Sequence, residues 1–248
     1  MSKTHVVQQG EHLSGIAANE GFADFHVIFD RPENADVKKK RDPHVLFPGD
    51  QLFIPDRADR TESRATDDTH PFQTDLRPLF LRCKVLDIDG KPIAGANCNL
   101  TIDSADVPDV PTDGKGILEQ PIGRLAKEAE ITVHLPPPKN APDPPPDVTV
   151  AFDVKIGNLN PETKLSGQQA RLNNMGYFAG FTVKDLEQLL WAAEEFECDQ
   201  IVKPVPTRPD IAAAPPQGED DPANSDPDSK TGIQNSNIVT KLKAVHGI

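Results

Sequence analysis

The run His5-Val6-Val7-Gln8-Gln9-Gly10-Glu11-His12-Leu13-Ser14-Gly15-Ile16-Ala17 sets the first element order of the chain. A short β-prone stretch, His5 to Gln8, stops at Gly10. Leu13, Ile16 and Ala17 then fall at i, i+3 and i+4, the spacing that gathers apolar side chains on one face of a helix. Gly21 follows as the C-cap. Further along, Phe22 to Phe29 offers a second apolar patch, Pro48-Gly49-Asp50 a tight turn and Gln51-Leu52-Phe53-Ile54-Pro55 a second short strand. Residues 1–57 therefore predict a small βααβ unit. Lys38 to Arg41 reads as a solvated helix end.

Composition limits what surrounds that unit. Over 248 residues only 36% are hydrophobic and 25 are proline, too little apolar material for one deep core and enough proline for stiff connections, so several small units are expected. Residues 58–75 are polar and predict a flexible linker. In 76–153, Leu79, Leu81, Cys83 and Val85 alternate, as do Ala96, Cys98, Leu100 and Ile102, with turns at Asp89 to Pro92 and at Thr112 to Gly116. Glu130 to Leu135 and Val148 to Phe152 add further strands, so this piece predicts an antiparallel β-sandwich, with a stiff, exposed Pro-rich loop at 136–146. Cys83 and Cys98 sit on the inward phase as core thiols, and three cysteines without CxxC spacing form neither a disulfide framework nor a zinc site.

Residues 154–248 predict three helices: 167–175 closed by Gly176, 183–196 with Thr182 as N-cap, and 236–245. Trp191 is expected in their core. The segment 203–230, with its prolines and Glu219-Asp220-Asp221, predicts a disordered insertion. The fold class expected is thus multidomain α+β.

Three resemblances follow from these residues. The run from His5 to Ala17, with Leu46-Phe47-Pro48-Gly49-Asp50 leading into Pro55, resembles a LysM domain, with Glu11-His12 where that family commonly has Asp-Thr. The resemblance implies binding of N-acetylglucosamine-containing polymers, peptidoglycan or chitin, in a groove. Its walls would be Gly10, Glu11, His12, Leu13 and Ser14 on one side and Leu46, Phe47, Pro48 and Gly49 on the other. Val85 to Ala96 with Thr112 to Gly116 resembles the transthyretin-like or carboxypeptidase-regulatory-like sandwiches, which serve as spacers. Ser166 to Gly180 and Thr231 to Gly247 resemble the first and last helices of a three-helix peptidoglycan-binding domain, where Tyr177 and Phe178 would be secondary binding candidates.

Charge and motifs narrow the function. With 39 acidic against 26 basic residues, a formal −13, polyphosphate backbones and anionic membrane surfaces are repelled. The longest apolar run, Leu189 to Ala193, is far short of the ~18–20 residues of a bilayer span. The start lacks the ~7–15-residue apolar region of a signal peptide, so the chain is expected in the cytoplasm as synthesised, with any route to the periplasm or exterior a non-Sec one. There is no GxSxG, HExxH or phosphate-binding loop, and His5, His12, His26 and His44 share no metal spacing, so neither enzyme, cofactor nor metal is expected. The residual catalytic candidates are His134 and His70, near Asp67 and Asp68.

The expectation is a non-catalytic modular binder of peptidoglycan or related glycan. LysM-like and peptidoglycan-binding-like modules without a signal also resemble accessory proteins of type VI secretion and other contractile injection systems. The alternative is therefore an adaptor whose modules bind a spike or effector protein.

Overall fold

The computed structural model describes residues 2–58, 63–71, 78–87, 89–137, 148–201, 233 and 236–246. Most of the Pro-rich loop, part of the linker and the 203–230 insertion lie outside these. The described residues are mixed α+β and fall into two compact units, Met1–His44 with Pro48–Asn158, and Val45–Phe47 with Leu159–Ile248. The βααβ piece and the strand-rich piece, separate in the sequence reading, share the first unit.

In that unit β1 (Lys3–Val6) pairs antiparallel with β2 (Gln51–Ile54), Lys3 opposite Ile54 and Val6 opposite Gln51. Between them come α1 (Leu13–Asn19), the short α2 (His26–Phe29), a 3-10 turn at Pro32–Asn34, and α3 (Ala35–Lys40). Leu13, Ile16 and Ala17 are buried, as their spacing requires. α1 ends with Gly21 N–H donating to the Ala18 carbonyl (3.1 Å) and Phe22 N–H to that of Ala17 (2.8 Å), which satisfies two orphan carbonyls. Asn34, 1% exposed, is a clamp with no sequence signature. Its Nδ2 donates to the carbonyls of Ile28 (2.8 Å) and Phe53 (2.9 Å), and its Oδ1 accepts from Phe53 N–H (2.7 Å). Lys38, Lys39 and Lys40 are exposed, whereas Arg41 makes a two-pronged pair with Asp50 at 2.8 and 3.1 Å.

The strand-rich part holds two antiparallel sheets around one apolar core. β3 (Leu79–Lys84) pairs with β6 (Ile117–Ile122), and four strands run in the order β5 (Ala105–Pro111), β4 (Asn97–Ile102), β7 (Glu128–Leu135), β8 (Val148–Lys155). Leu81 and Leu118 of the first sheet meet Cys98, Leu100, Ile131 and Val133 of the second. Strand β5, which has no counterpart among the strands expected from the sequence, carries two prolines and two aspartates. It is an edge strand, where proline is tolerated. It is launched by Asp103 and Ser104 at φ 45° and 74°, with Asp103 Oδ1 accepting the amides of Lys127 (3.0 Å) and Glu128 (3.2 Å). The expected phases hold: Cys98 is buried and Cys83 half-buried.

The second unit contains α4 (Leu165–Asn174), α5 (Leu186–Ile201) and α6 (Ser236–His246). α5 starts three residues later than expected and runs past Phe196. Thr182 does not cap it and lies in the loop, where Asp185 Oδ2 accepts the amides of Phe181 and Thr182, both at 2.9 Å. Leu165, Leu172, Leu189, Ala193, Phe196, Ile238 and Leu242 share the core. The polar residues of α4 organise its surroundings. Gln168 exchanges hydrogen bonds with the backbone of Ile233 at 2.7 and 3.3 Å, and Gln169 Nε2 donates to the carbonyls of Ala179 (2.8 Å) and Thr182 (2.7 Å). A Cβ on Gly167 would lie 2.0 Å from the Pro161 carbonyl oxygen, so only glycine lets that segment cross the helix.

Arg171 is 1% exposed in the same unit. Its Nη1 donates to the carbonyls of Asn160 (2.7 Å) and Gly167 (2.9 Å), and its Nη2 lies 3.9 Å from the Glu162 carboxylate, which also meets Lys243 Nζ at 3.3 Å. Burial raises the Glu162 carboxyl, but a backbone hydrogen bond, Lys243 and Arg171 together hold it below the usual carboxylate range. Among the described residues no helix is long and apolar enough to cross a membrane.

Candidate functional site

The loop after β1 begins where Val7 N–H donates to the Asp50 carbonyl (2.9 Å) and Gly49 N–H donates back to that of Val7 (2.9 Å). This exchange holds Gly10 to Ser14 and Pro48-Gly49 in one neighbourhood of the first unit. Glu11 closes the loop on itself: its Oε2 accepts Gln8 N–H at 2.8 Å and meets His5 Nε2 at 2.7 Å. His12 is the N-cap of α1, with extended backbone and Nδ1 accepting Gly15 N–H at 3.3 Å. It is buried, as are Leu13 and Ser14. Burial, and then the neighbouring His44, push the His12 pKa down against the pull of Glu11, so the neutral ring needed to accept that hydrogen bond is favoured. Glu11-His12 thus builds the turn and the cap.

The chain after β8 packs against this loop, which leaves Gln8 and Gln9 exposed and Gly10 and Glu11 half-buried. Gln9 Nε2 donates to the Asn158 carbonyl (3.2 Å), and a Cβ on Gly10 would stand 3.4 Å from Asn158 Oδ1. Gly157, at φ +76°, approaches so closely that a Cβ there would be 2.7 Å from the Gly10 carbonyl oxygen and 3.0 Å from His12 Cδ2. Pro48 is half-buried and Gly49 exposed. The remaining two candidates, Leu46 and Phe47, group with the second unit. There Leu46 is buried and the Phe47 ring lies under Lys164 Nζ, 4.6 Å from its centroid.

The secondary candidates differ from one another. Tyr177 is a structural post: its hydroxyl donates to Asp199 Oδ2 (3.1 Å) and its ring meets Phe196 edge-on at 5.5 Å. Phe178 is 58% exposed and contacts Phe181, 89% exposed, at 5.3 Å between centroids. With Asn173, Gly176, Tyr177 and Gly180 they line an open cleft. Phe181 could have been singled out as a second phenylalanine three residues after Phe178 in the segment between two helices.

Trp191 corrects the sequence reading. Instead of lying in the core it is 58% exposed. At ~100° per residue it stands roughly 200° round α5 from Leu189, while Ala192, Ala193 and Phe196 fill the inner face.

The residual catalytic candidates are engaged as ordinary polar groups. His70 Nε2 meets the Ala65 carbonyl at 2.6 Å, and His134 Nε2 meets Asn99 Nδ2 at 3.1 Å on adjacent strands. Burial and the nearby Cys98 push the Cys83 thiol up to about 11, and burial also raises Cys98, so neither offers a thiolate near neutrality. Among the described residues no group of three or more His, Cys, Asp and Glu side chains is placed to hold a metal ion. No protein-family model, curated protein or solved structure compared with the chain matches it.

Proposed function

We propose that the chain is a non-catalytic adaptor whose modules contact protein, a spike or effector of a contractile injection machine, rather than glycan. The observation that carries this reading is the use of the loop after β1 as a packing surface. His12, Leu13 and Ser14 are buried, and Gly157 and Asn158 lie against Gly10, where a sugar chain would have to run. A ligand site is usually a largely pre-formed concavity, and chain packed against the loop takes up that space. The injection-machine setting rests on the combination of LysM-like and peptidoglycan-binding-like modules.

A second reading, peptidoglycan binding through the helical unit, draws on the exposed Phe178 and Phe181 pair, whose faces are of the kind that stack on sugar rings. Co-sedimentation with insoluble peptidoglycan sacculi separates the two. The adaptor reading expects the full chain to stay in the supernatant with and without free chitooligosaccharide. Retention lost in Gly10→Arg plus Phe47→Ala would restore the LysM-like groove, and retention lost in Phe178→Ala plus Phe181→Ala would establish the helical site.

A further inference from the structure

The two edges of the four-stranded sheet are built differently. β5 carries Pro108 and Pro111, holds Asp109 at φ 59° and shifts register against β4 between Cys98 and Leu100, all of which hinder pairing with a further strand. β8, at the other edge, has no proline, glycine or bulge, and its ladder with β7 runs unbroken from Glu128 opposite Lys155 to Leu135 opposite Val148. Ile156 N–H donates to the Lys127 carbonyl (2.8 Å), so by alternation Val154, Phe152, Val150 and Val148 are the residues that bond to β7. The N–H and C=O groups of Thr149, Ala151, Asp153 and Lys155 therefore point away from β7. No strand among the described residues lies on that side.

The inward face of β8 is uncovered as well. Phe152 and Val150 stand opposite Ile131 and Val133, which are buried in the core, yet Val148, Val150 and Phe152 are exposed. The facing sheet has two strands, β3 and β6, against four, too few to reach them.

We propose that β8 pairs antiparallel with β8 of a second copy of the chain about a two-fold axis at Ala151. In that register Val150 meets Phe152 of the second copy and Val148 meets its Val154, at the closer, non-hydrogen-bonded positions, so the two exposed apolar strips become one. Charge complementarity selects the register. β8 holds one acid and one base, Asp153 and Lys155. An axis at Ala151 sets Thr149 against Asp153, hydroxyl to carboxylate, and Lys155 against the position of Asp147, the acid that precedes the strand in the sequence. An axis at Asp153 would oppose two carboxylates. Every contact is made twice, as a two-fold interface requires. One strand seam lies at the small end of interface sizes, so the dimer is expected to dissociate on dilution through the micromolar range. The inference goes beyond the adaptor reading and does not depend on what the modules bind.

Sedimentation velocity of the full chain over rising concentration tests it, with a reversible monomer–dimer equilibrium expected. Ala151→Pro removes an outward N–H without touching the β7 ladder and should leave a monomer throughout. Thr149→Asp, a change on an exposed residue, places two like-charge pairs across the seam and should weaken association about tenfold. Adding Asp153→Lys to it turns both pairs into opposite charges and should restore association to within about threefold of the natural chain. An unchanged urea-unfolding midpoint in the Thr149→Asp variants separates a lost seam from a lost fold. A natural chain that stays monomeric would leave the edge to a strand of another protein and overturn self-pairing. A dimer that survives both Ala151→Pro and Thr149→Asp, or a double variant no better than Thr149→Asp alone, would overturn the seam and its register.

Discussion

Replacing Arg171 with methionine is expected to cost the helical unit about 3 kcal/mol, the lower end of the range for breaking a buried charge pair from one side. The guanidinium ties the Asn160 and Gly167 carbonyls to α4 and lies 3.9 Å from Glu162. Methionine fills much of the volume but removes the side-chain hydrogen bonds to the Asn160 and Gly167 carbonyls and one of the cations facing the Glu162 carboxylate. The cost is kept to that lower end because Glu162 remains 22% exposed and keeps Lys243 at 3.3 Å. Lysine should recover only part of the loss, because one ammonium cannot reproduce the fork. Urea unfolding followed by tryptophan emission reads this unit selectively, since the only tryptophan of the chain, Trp191, lies on α5. A loss under about 1 kcal/mol would show that the buried arginine is not what anchors the 160–162 segment to α4.

Mild acid should weaken the same unit. Burial, with Arg171 adding to it, lowers the His246 pKa to about 4, while its Nε2 meets Asn174 Nδ2 at 3.1 Å. An unfolded histidine titrates near ~6.5, so between about 6.5 and 4 the unfolded chain binds the extra proton and the folded one does not. Stability is therefore full above about pH 6.5 and falls until about pH 4, by at most on the order of 3 kcal/mol. His12 acts in the same direction in the first unit, where its protonation would break the cap on α1. The prediction is a midpoint for tryptophan-monitored unfolding that drops steadily from pH 7 to 4.5, with a shallower slope in His246→Gln. A flat profile would mean that His246 is protonated in the fold.

Local periodicity made much of this molecule legible. The i, i+3, i+4 set in α1 and the alternation of Ala96, Cys98, Leu100 and Ile102 reappear as buried faces, because burial of one face is what such patterns record. The clamps were hidden for the opposite reason. Asn34 bonds to Phe53 nineteen positions away and Gln168 to Ile233 sixty-five away, and a carboxamide in a polar stretch gives no sign of its distant backbone partner. β5 carries proline and aspartate, which disfavour a central strand and are harmless at an edge. Trp191 is exposed because helical phase sets it opposite Leu189, and that phase is readable from the spacing of Leu189, Ala193 and Phe196. At the candidate groove, residue types could suggest a loop beside a helix, but only the fold brings Gly157 and Asn158, some 150 residues on, against Gly10.

That packing is the central claim, and amide chemical shifts of the isotope-labelled full chain during titration with chitohexaose test it most directly. The account predicts that the amides of Gly10 to Ser14, Leu46, Phe47 and Gly49 stay in place while sugar rises to millimolar concentration. Saturable shifts at those amides, shared by Gly157 and Asn158 as they are displaced, would contradict it and make the loop a sugar site gated by the chain after β8.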